Sequence, residues 1–297
     1  MSQSRFRPDV RPASRADLAG AYTKDIAHSL ARMVLKRRHR TSDVVDSEYN
    51  SGTWSKILKD RAWLLAPTLE QFLVGDNADA RLAKVDGRIV QLSYRDYYRY
   101  RIGALSELIA RHVDAADSLL EIGTGFGYNL FALSLDPRWR RLRGLDISAN
   151  GIEAGRQIAS HFRLSDRVTF GRIDLTDPAD PGFAELAGAT VLTYFCLEQI
   201  PHLVEKVIEN ILRAGPARVV NIEPSIHMLS LTKPRDFASR VYIESMDYQT
   251  RLFKFLDELN DKGEIRVVAR ERMEFAPTLH NDGFLCVWEP ANIVVAR

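Results

Sequence analysis

Cysteine is scarce in this chain. Only Cys196 and Cys286 occur among 297 residues, which makes neither a disulfide framework nor a metal-ligand spacing, so no metal is expected. Both stand in apolar runs, where buried thiols are the expectation. Long apolar stretches are also lacking. None approaches the ~18 residues of a membrane span, so no membrane partner is expected. The N-terminal MSQSRFRPDVRPASR has no apolar core and does not read as a secretory signal, which makes cytoplasmic the expected location. Charge of one sign is missing too. The 41 basic and 39 acidic residues leave a formal +2, which removes the general electrostatic reason to expect a nucleic-acid partner. The one compact basic run, Lys36, Arg37, Arg38, His39 and Arg40, reads as the solvated end of a helix.

What is present divides into two textures. Residues 1–110 have no glycine fingerprint and read as a mainly helical N-terminal extension or cap. Residues 1–13 are expected to be flexible. Leu18, Tyr22, Ile26, Leu30 and Val34 recur four apart, which predicts one apolar face on a long helix. Residues 41–60 are polar and turn-rich, with Tyr49 and Trp54 as packing anchors or parts of a lid. Residues 81–92 alternate around Asp86-Gly87 and predict a tight hairpin. A tyrosine-rich helix follows, its core face supplied by Ile102, Leu105, Leu108 and Ile109, with Tyr97, Tyr98 and Tyr100 packing.

Residues 111–297 alternate strand and helix. Strands are predicted at 118–122, 142–146, 167–173, 189–196 and 217–222, with helices between them at 150–162 and 202–213. That rhythm implies a parallel sheet with right-handed crossovers. Residues 225–262 break it and read as an insertion with one helical run, YQTRLFKFLDEL. Two β-rich segments, EIRVVARERMEF and FLCVWEPANIVVAR, close the chain as a hairpin-like pair.

The chemistry is concentrated in SLLEIGTGFGYNLFALS, residues 118–134: a short apolar strand, glycines at 123, 125 and 127, then helical spacing. Asp146 ends the next strand, where a carboxylate can accept two ribose hydroxyls. Asp174 ends the third, where it can accept from an exocyclic amine while Ile173 packs on a purine face. Each acid alone also reads as a helix N-cap, before Ser148 and Thr176. In order and in register with the glycines, the ligand reading is preferred. The spacing G-x-G-x-G, rather than G-x-G-x-x-G, and the preceding Glu121 suit a ligand with a cationic amino-acid tail better than a pyrophosphate. That points to S-adenosylmethionine.

Residues 116–297 resemble the class I S-adenosylmethionine-dependent methyltransferases, through LLEIGTGFGYN, LDIS, RID, YFCLEQIPH and VVNIEP. The resemblance implies an α/β, Rossmann-like seven-stranded, mostly parallel sheet with a reversed last strand. It places Glu121, Gly123, Thr124, Gly125, Gly127 and Asn129 at the methionine part of S-adenosyl-L-methionine. Asp146 falls at its ribose and Ile173 and Asp174 at its adenine, with Ile147 among the cofactor-binding residues. The family's usual Pro-Gly-Gly before the fifth strand is AGPAR here, a departure in a turn.

The methyl acceptor is expected at the carboxyl ends of strands four and five. Glu198, Gln199 and His202 follow strand four, Glu223 and His227 follow strand five, and His280 and Asn281 precede the final strand. Glu198 and Glu223 could clamp an amine or guanidinium, as in an amino acid such as arginine. That favours N-methylation of a small-molecule acceptor. The competing expectation uses His202, His227 or His280 as general base for O-methylation of a sugar or natural-product hydroxyl. A non-catalytic cofactor-binding scaffold is a third. Whether the chain forms a homo-oligomer is left open by the sequence.

Overall fold

The structure is a computed structural model and describes residues 6–35, 40–114, 118–276 and 280–291. Strands β4 (Leu119–Ile122), β5 (Leu142–Asp146), β6 (Val168–Arg172), β7 (Thr190–Tyr194) and β8 (Arg218–Glu223) are parallel. They belong to a seven-stranded sheet of order β6-β5-β4-β7-β8-β10-β9. The final strand β10 (Phe284–Pro290) runs antiparallel to both β8 and β9 (Ile265–Arg272), as the reversed last strand predicts. From β4 the chain winds outward to β5 and β6, then returns to place β7 on the other flank of β4. The strand order therefore reverses between β4 and β7, and their carboxyl ends open a crevice there.

Side chains on successive strand residues leave opposite faces of a sheet, and the sequence uses both faces. Val220, Leu285 and Val287 enter one core with Leu130, Phe131 and Ile158. Val219, Cys286 and Trp288 enter the other with Val207, Ile211 and Leu256. The first core thus carries α6 (Tyr128–Ser134) and α7 (Ala149–His161), the second α8 (Val204–Arg213) and α10 (Leu252–Asp261).

The N-terminal residues share the first core. Trp63, Tyr97, Tyr100, Leu105 and Ile109 are all buried in it, the last four from α5 (Tyr94–Ala110). The hairpin forms as predicted, β2 (Ala80–Val85) against β3 (Arg88–Ser93). Asp86 and Gly87 both take positive φ, 46° and 74°, as a two-residue turn matched to strand twist requires. Three expectations need correction. Residues 11–12 are not loose: β1 (Arg11–Pro12) pairs with β3. Residues 41–60 are helical rather than turn-rich: Thr41 caps α2 (Ser42–Glu48), a π-helical turn spans Tyr49–Trp54, and α3 (Ser55–Asp60) follows. Residues 225–262 hold two helices, α9 (Pro234–Ser245) and α10, and not one. α9 packs against α1 (Arg15–Leu35), a contact no local pattern encodes. Of the basic run, residues 36–39 lie outside the described residues. Arg40 is buried, and its guanidinium donates to Glu48 and Gln199.

A buried carboxylate ties the hairpin to the end of the sheet. Asp282, just before β10, accepts from Lys84 at 3.0 Å, from Arg235 of α9 at 2.8 Å and from Arg272 of β9. Cations on three sides hold its carboxyl below the usual range although burial works the other way. Among the described residues no helix is long and apolar enough to cross a membrane, and no group of His, Cys, Asp and Glu is arranged to hold a metal.

Candidate functional site

A cavity of about 1300 Å³ lies over the carboxyl ends of β4, β5 and β7, roofed by residues 40–63 and flanked by α5. Its floor is the glycine loop. Gly123 has φ +70°, and a Cβ there would stand 2.0 Å from Cys196 Sγ. Gly125 has φ +55°, and a Cβ there would stand 2.6 Å from the Trp54 ring. Glycine is thus required twice over, by conformation and by close approach. Gly127 ends the loop as the N-cap of α6 and stands outside the cavity lining, where a Cβ would meet the Phe170 ring at 2.6 Å, so its expected place at the ligand is corrected to core packing.

Asp146 faces the loop from β5. Its Oδ2 accepts the Gly125 N–H and its Oδ1 the Ser148 N–H, both at 2.7 Å. Burial pushes its carboxyl up, and these backbone donors work against that. Asp174 likewise accepts from the Thr176 N–H at 2.9 Å and hydroxyl at 2.7 Å. Both acids therefore shape a local turn and also line the cavity, together with Ile147 and Ile173. The turn-forming and ligand-facing readings are compatible, because these turn bonds leave acceptor capacity on both Asp146 oxygens and on Asp174 Oδ2.

Glu121 stands differently. It is buried behind the wall, accepting from Thr124 Oγ1 and Asn129 Nδ2 at 2.7 Å each. Burial pushes its carboxyl up to about 7, against those two donors. Thr124 and Asn129 line the cavity and Glu121 does not. Its expected direct place at the ligand is corrected to support of the residues that are there.

Asn129 Oδ1 in turn accepts from Arg101 Nη2 at 2.7 Å. Arg101 projects from α5, is 8% exposed, lines the cavity, and lies 4.6 Å and 5.2 Å from the ring centres of Tyr128 and Tyr194. Among the described residues no carboxylate forms an ion pair with it. A buried guanidinium held by an amide and two rings can take an anionic group from a ligand. Sequence reasoning missed Arg101. The signal was its place on the same helical stripe as Tyr97, Ala104, Leu105 and Leu108, an arginine where the period calls for an apolar residue.

The expected acceptor clamp does not form. Neither Glu198 nor Glu223 lines the cavity. Glu223 is fully buried, and its carboxylate accepts the N–H groups of Cys196, Leu197 and Glu198 at 3.1, 3.1 and 3.3 Å. It organises the loop after β7 from beneath. Burial pushes it up to about 7. Glu198 accepts from the Gln199 amide at 2.8 Å, and burial followed by the nearby Glu223 pushes its carboxyl well up. Two adjacent buried acids resist sharing two negative charges, so they do not make a cation clamp.

Of the histidines, His202 lines the cavity, with its Nε2 3.8 Å from Asp247 Oδ2. His227 is exposed and outside the lining. His280 is also outside it: its Nε2 lies 2.5 Å from Asp25 Oδ2 on α1, with the Tyr22 ring edge-on at 5.6 Å. It belongs to the packing of α1, while its neighbour Asn281 reaches the cavity. Tyr49 and Trp54 line the cavity with Phe72, Tyr98 and Phe126, an almost continuous aromatic wall in which Trp54 and Phe126 meet at 5.5 Å.

No protein-family model matches the chain. Over 154 residues it is 29% identical to the carboxy-S-adenosyl-L-methionine synthase of Desulfotalea psychrophila, a match covering 48% of this chain and 58% of that enzyme's length. The mitomycin 7-O-methyltransferase MmcR superposes over 94% of this chain and 69% of its own, with 15% identity and a TM-score of 0.50. The [4+2]-cyclase SpnF covers 76% of this chain and 97% of its own, with 16% identity and a TM-score of 0.49. The chain has the Rossmann-like fold of the class I S-adenosylmethionine-dependent methyltransferases.

Proposed function

We propose that the chain is an S-adenosylmethionine-dependent methyltransferase acting on a small molecule. One observation carries this: the positive-φ glycine loop, Asp146 and the Arg101–Asn129–Glu121 chain all meet at one cavity. The donor set fits the cofactor. Asp146 would accept its ribose hydroxyls, Arg101 would take its carboxylate, and Ile147, Ile173 and Asp174 would border its adenine. When bound, S-adenosylmethionine supplies a methyl group on a sulfonium. The two relatives named for S-adenosylmethionine chemistry and methyl transfer support the same reading.

For the acceptor we favour a hydroxyl on a planar, apolar body over an amine or guanidine. The wall is aromatic, and the two glutamates that would have bound a cation stand outside it. His202 lines the cavity beside the Asp247 carboxylate and is the side chain there that could take a proton from the hydroxyl. The protein would otherwise act by holding the hydroxyl oxygen in line with the methyl group, which is a positioning task.

The test is calorimetric titration with S-adenosylmethionine and S-adenosylhomocysteine, then mass spectrometry of phenol and amine panels incubated with protein and methyl-labelled cofactor. Binding and labelled phenol ethers are the expected result. Labelled amines alone would overturn the hydroxyl preference. Binding without transfer to any acceptor would favour a scaffold, and no binding would refute the reading.

A further inference from the structure

The π-helical turn Tyr49–Trp54 belongs to the N-terminal part of the chain, yet it is fastened on two sides of the cavity, through Asn50 and through Glu48 just before it. On the β5 side the Asn50 side-chain oxygen accepts from the Ser148 hydroxyl at 2.7 Å and from the Asn150 N–H at 3.2 Å, and the Asn50 carbonyl accepts from Asn150 Nδ2 at 3.0 Å. On the other side Arg40 bridges Glu48 at 2.8 Å and Gln199 at 2.6 Å, and its N–H donates to Asp247 at 2.7 Å. The turn therefore spans the crevice from the loop that carries Asp146 to the loop that follows β7. Between these anchors Trp54 is laid on Gly125, so close that no side chain fits between. Tyr49 and Phe126 flank it, with ring centres at 5.9 and 5.5 Å.

This placement is specific. Gly125 donates its N–H to Asp146 and lies in the loop that leads into α6, whose Asn129 is the partner of Arg101. A ligand held by its ribose at Asp146 and by its carboxylate at Arg101 must pass its central atom beside this part of the loop, along the indole that rests on Gly125. The indole is the aromatic surface there, and an indole attracts a cation within about 6 Å of its centre more strongly than Tyr or Phe does. Resting on the cofactor assignment above, we propose that Trp54 is a donor-site residue. It flanks the sulfonium and distinguishes the cationic donor, S-adenosylmethionine, from its neutral product, S-adenosylhomocysteine. Asn50 is the positioning residue that keeps the indole there. The charge lost from the sulfur on methyl transfer would then weaken the hold on the product and favour its release.

The experiment is calorimetric titration of both ligands into wild type, W54F, W54L and N50A, without any acceptor. W54L is expected to bind S-adenosylmethionine roughly tenfold more weakly, with S-adenosylhomocysteine changed less than twofold, and W54F is expected to keep most of the preference. N50A is expected to lose part of it. Equal losses for both ligands in W54L would overturn the sulfonium contact, and no loss for either would overturn the donor-site placement. Should W54L fail to fold, fluorescence decides. Trp139 and Trp288 are buried away from the cavity and Trp63 lines it, so W54F and W63F are compared, and the emission change on adding S-adenosylmethionine is expected to fall more sharply in W54F. An undiminished change in W54F would overturn the proposal. Failure of the wild type to bind either ligand would refute the cofactor assignment itself, a distinct result.

Discussion

Replacing Arg101 by methionine probes the donor site most directly. Methionine fills the space of the arginine stem and removes the charge. The structure gives both sides of the ledger for folding. The change removes one hydrogen bond to Asn129 at 2.7 Å and two ring contacts, at 4.6 and 5.2 Å. It also releases the cost of burying a guanidinium that is 8% exposed. These oppose one another, and the folded state is expected to change by no more than about 2 kcal/mol. The ligand side has no such offset. A hydrogen bond to a charged group contributes about 1.5–3 kcal/mol, so S-adenosylmethionine is expected to bind roughly 10- to 150-fold more weakly. The discriminating ligand is decarboxylated S-adenosylmethionine, which lacks the group Arg101 would hold. Calorimetric titration of both ligands into both proteins closes a cycle. The wild type should prefer the carboxylated ligand and R101M should lose that preference. If R101M weakens both ligands equally, Arg101 does not hold the carboxylate. If neither weakens, Arg101 is not at the ligand. A second readout follows from Glu121, whose carboxyl Arg101 helps to hold down and which should rise further in the variant.

Three further outcomes are expected. Burial raises the Glu121 carboxyl from 4.5 to about 7, so the folded protein keeps a proton there that the unfolded chain has lost. The associated stability is complete below about pH 4.5 and is lost as pH rises through about 7, a change of about 3 kcal/mol. E121Q should therefore gain on wild type between pH 5 and 8 in chemical denaturation, and an unchanged difference would show that Glu121 titrates normally. Gly123 and Gly188 have φ of +70° and +67°, but only Gly123 has a neighbour where a Cβ would go. G188A should cost about 1–2 kcal/mol from backbone conformation alone, and G123A several more from contact with Cys196, both read by urea melts. If His202 is the base, H202A should slow transfer to a hydroxyl roughly 100-fold or more in single-turnover assays while leaving cofactor affinity unchanged. An undiminished rate would move the base elsewhere.

Sequence alone determined the features that repeat locally. The five parallel strands, the Asp86-Gly87 turn and the glycine loop each depend on the chemistry of a few adjacent residues: apolar alternation, turn residues, and a backbone that must run at positive φ; the reversed last strand followed from the resemblance to a known family. The acids that follow at Asp146 and Asp174 were legible for the same reason, because strand ends fall at predictable places in a β/α alternation. What only the tertiary structure decided is which side chains face the cavity. Glu198 and Glu223 stand at the predicted strand ends, yet the loop after β7 folds back onto Glu223 and takes its oxygens for backbone amides. His280 is claimed by Asp25, 255 positions away. Arg101, Asn50 and Trp54 come from the half of the chain with no recognisable motif and reach the site by packing over the sheet. Such contacts bring together residues far apart in sequence, and the direction of a side chain at the end of a strand depends on what else is packed there.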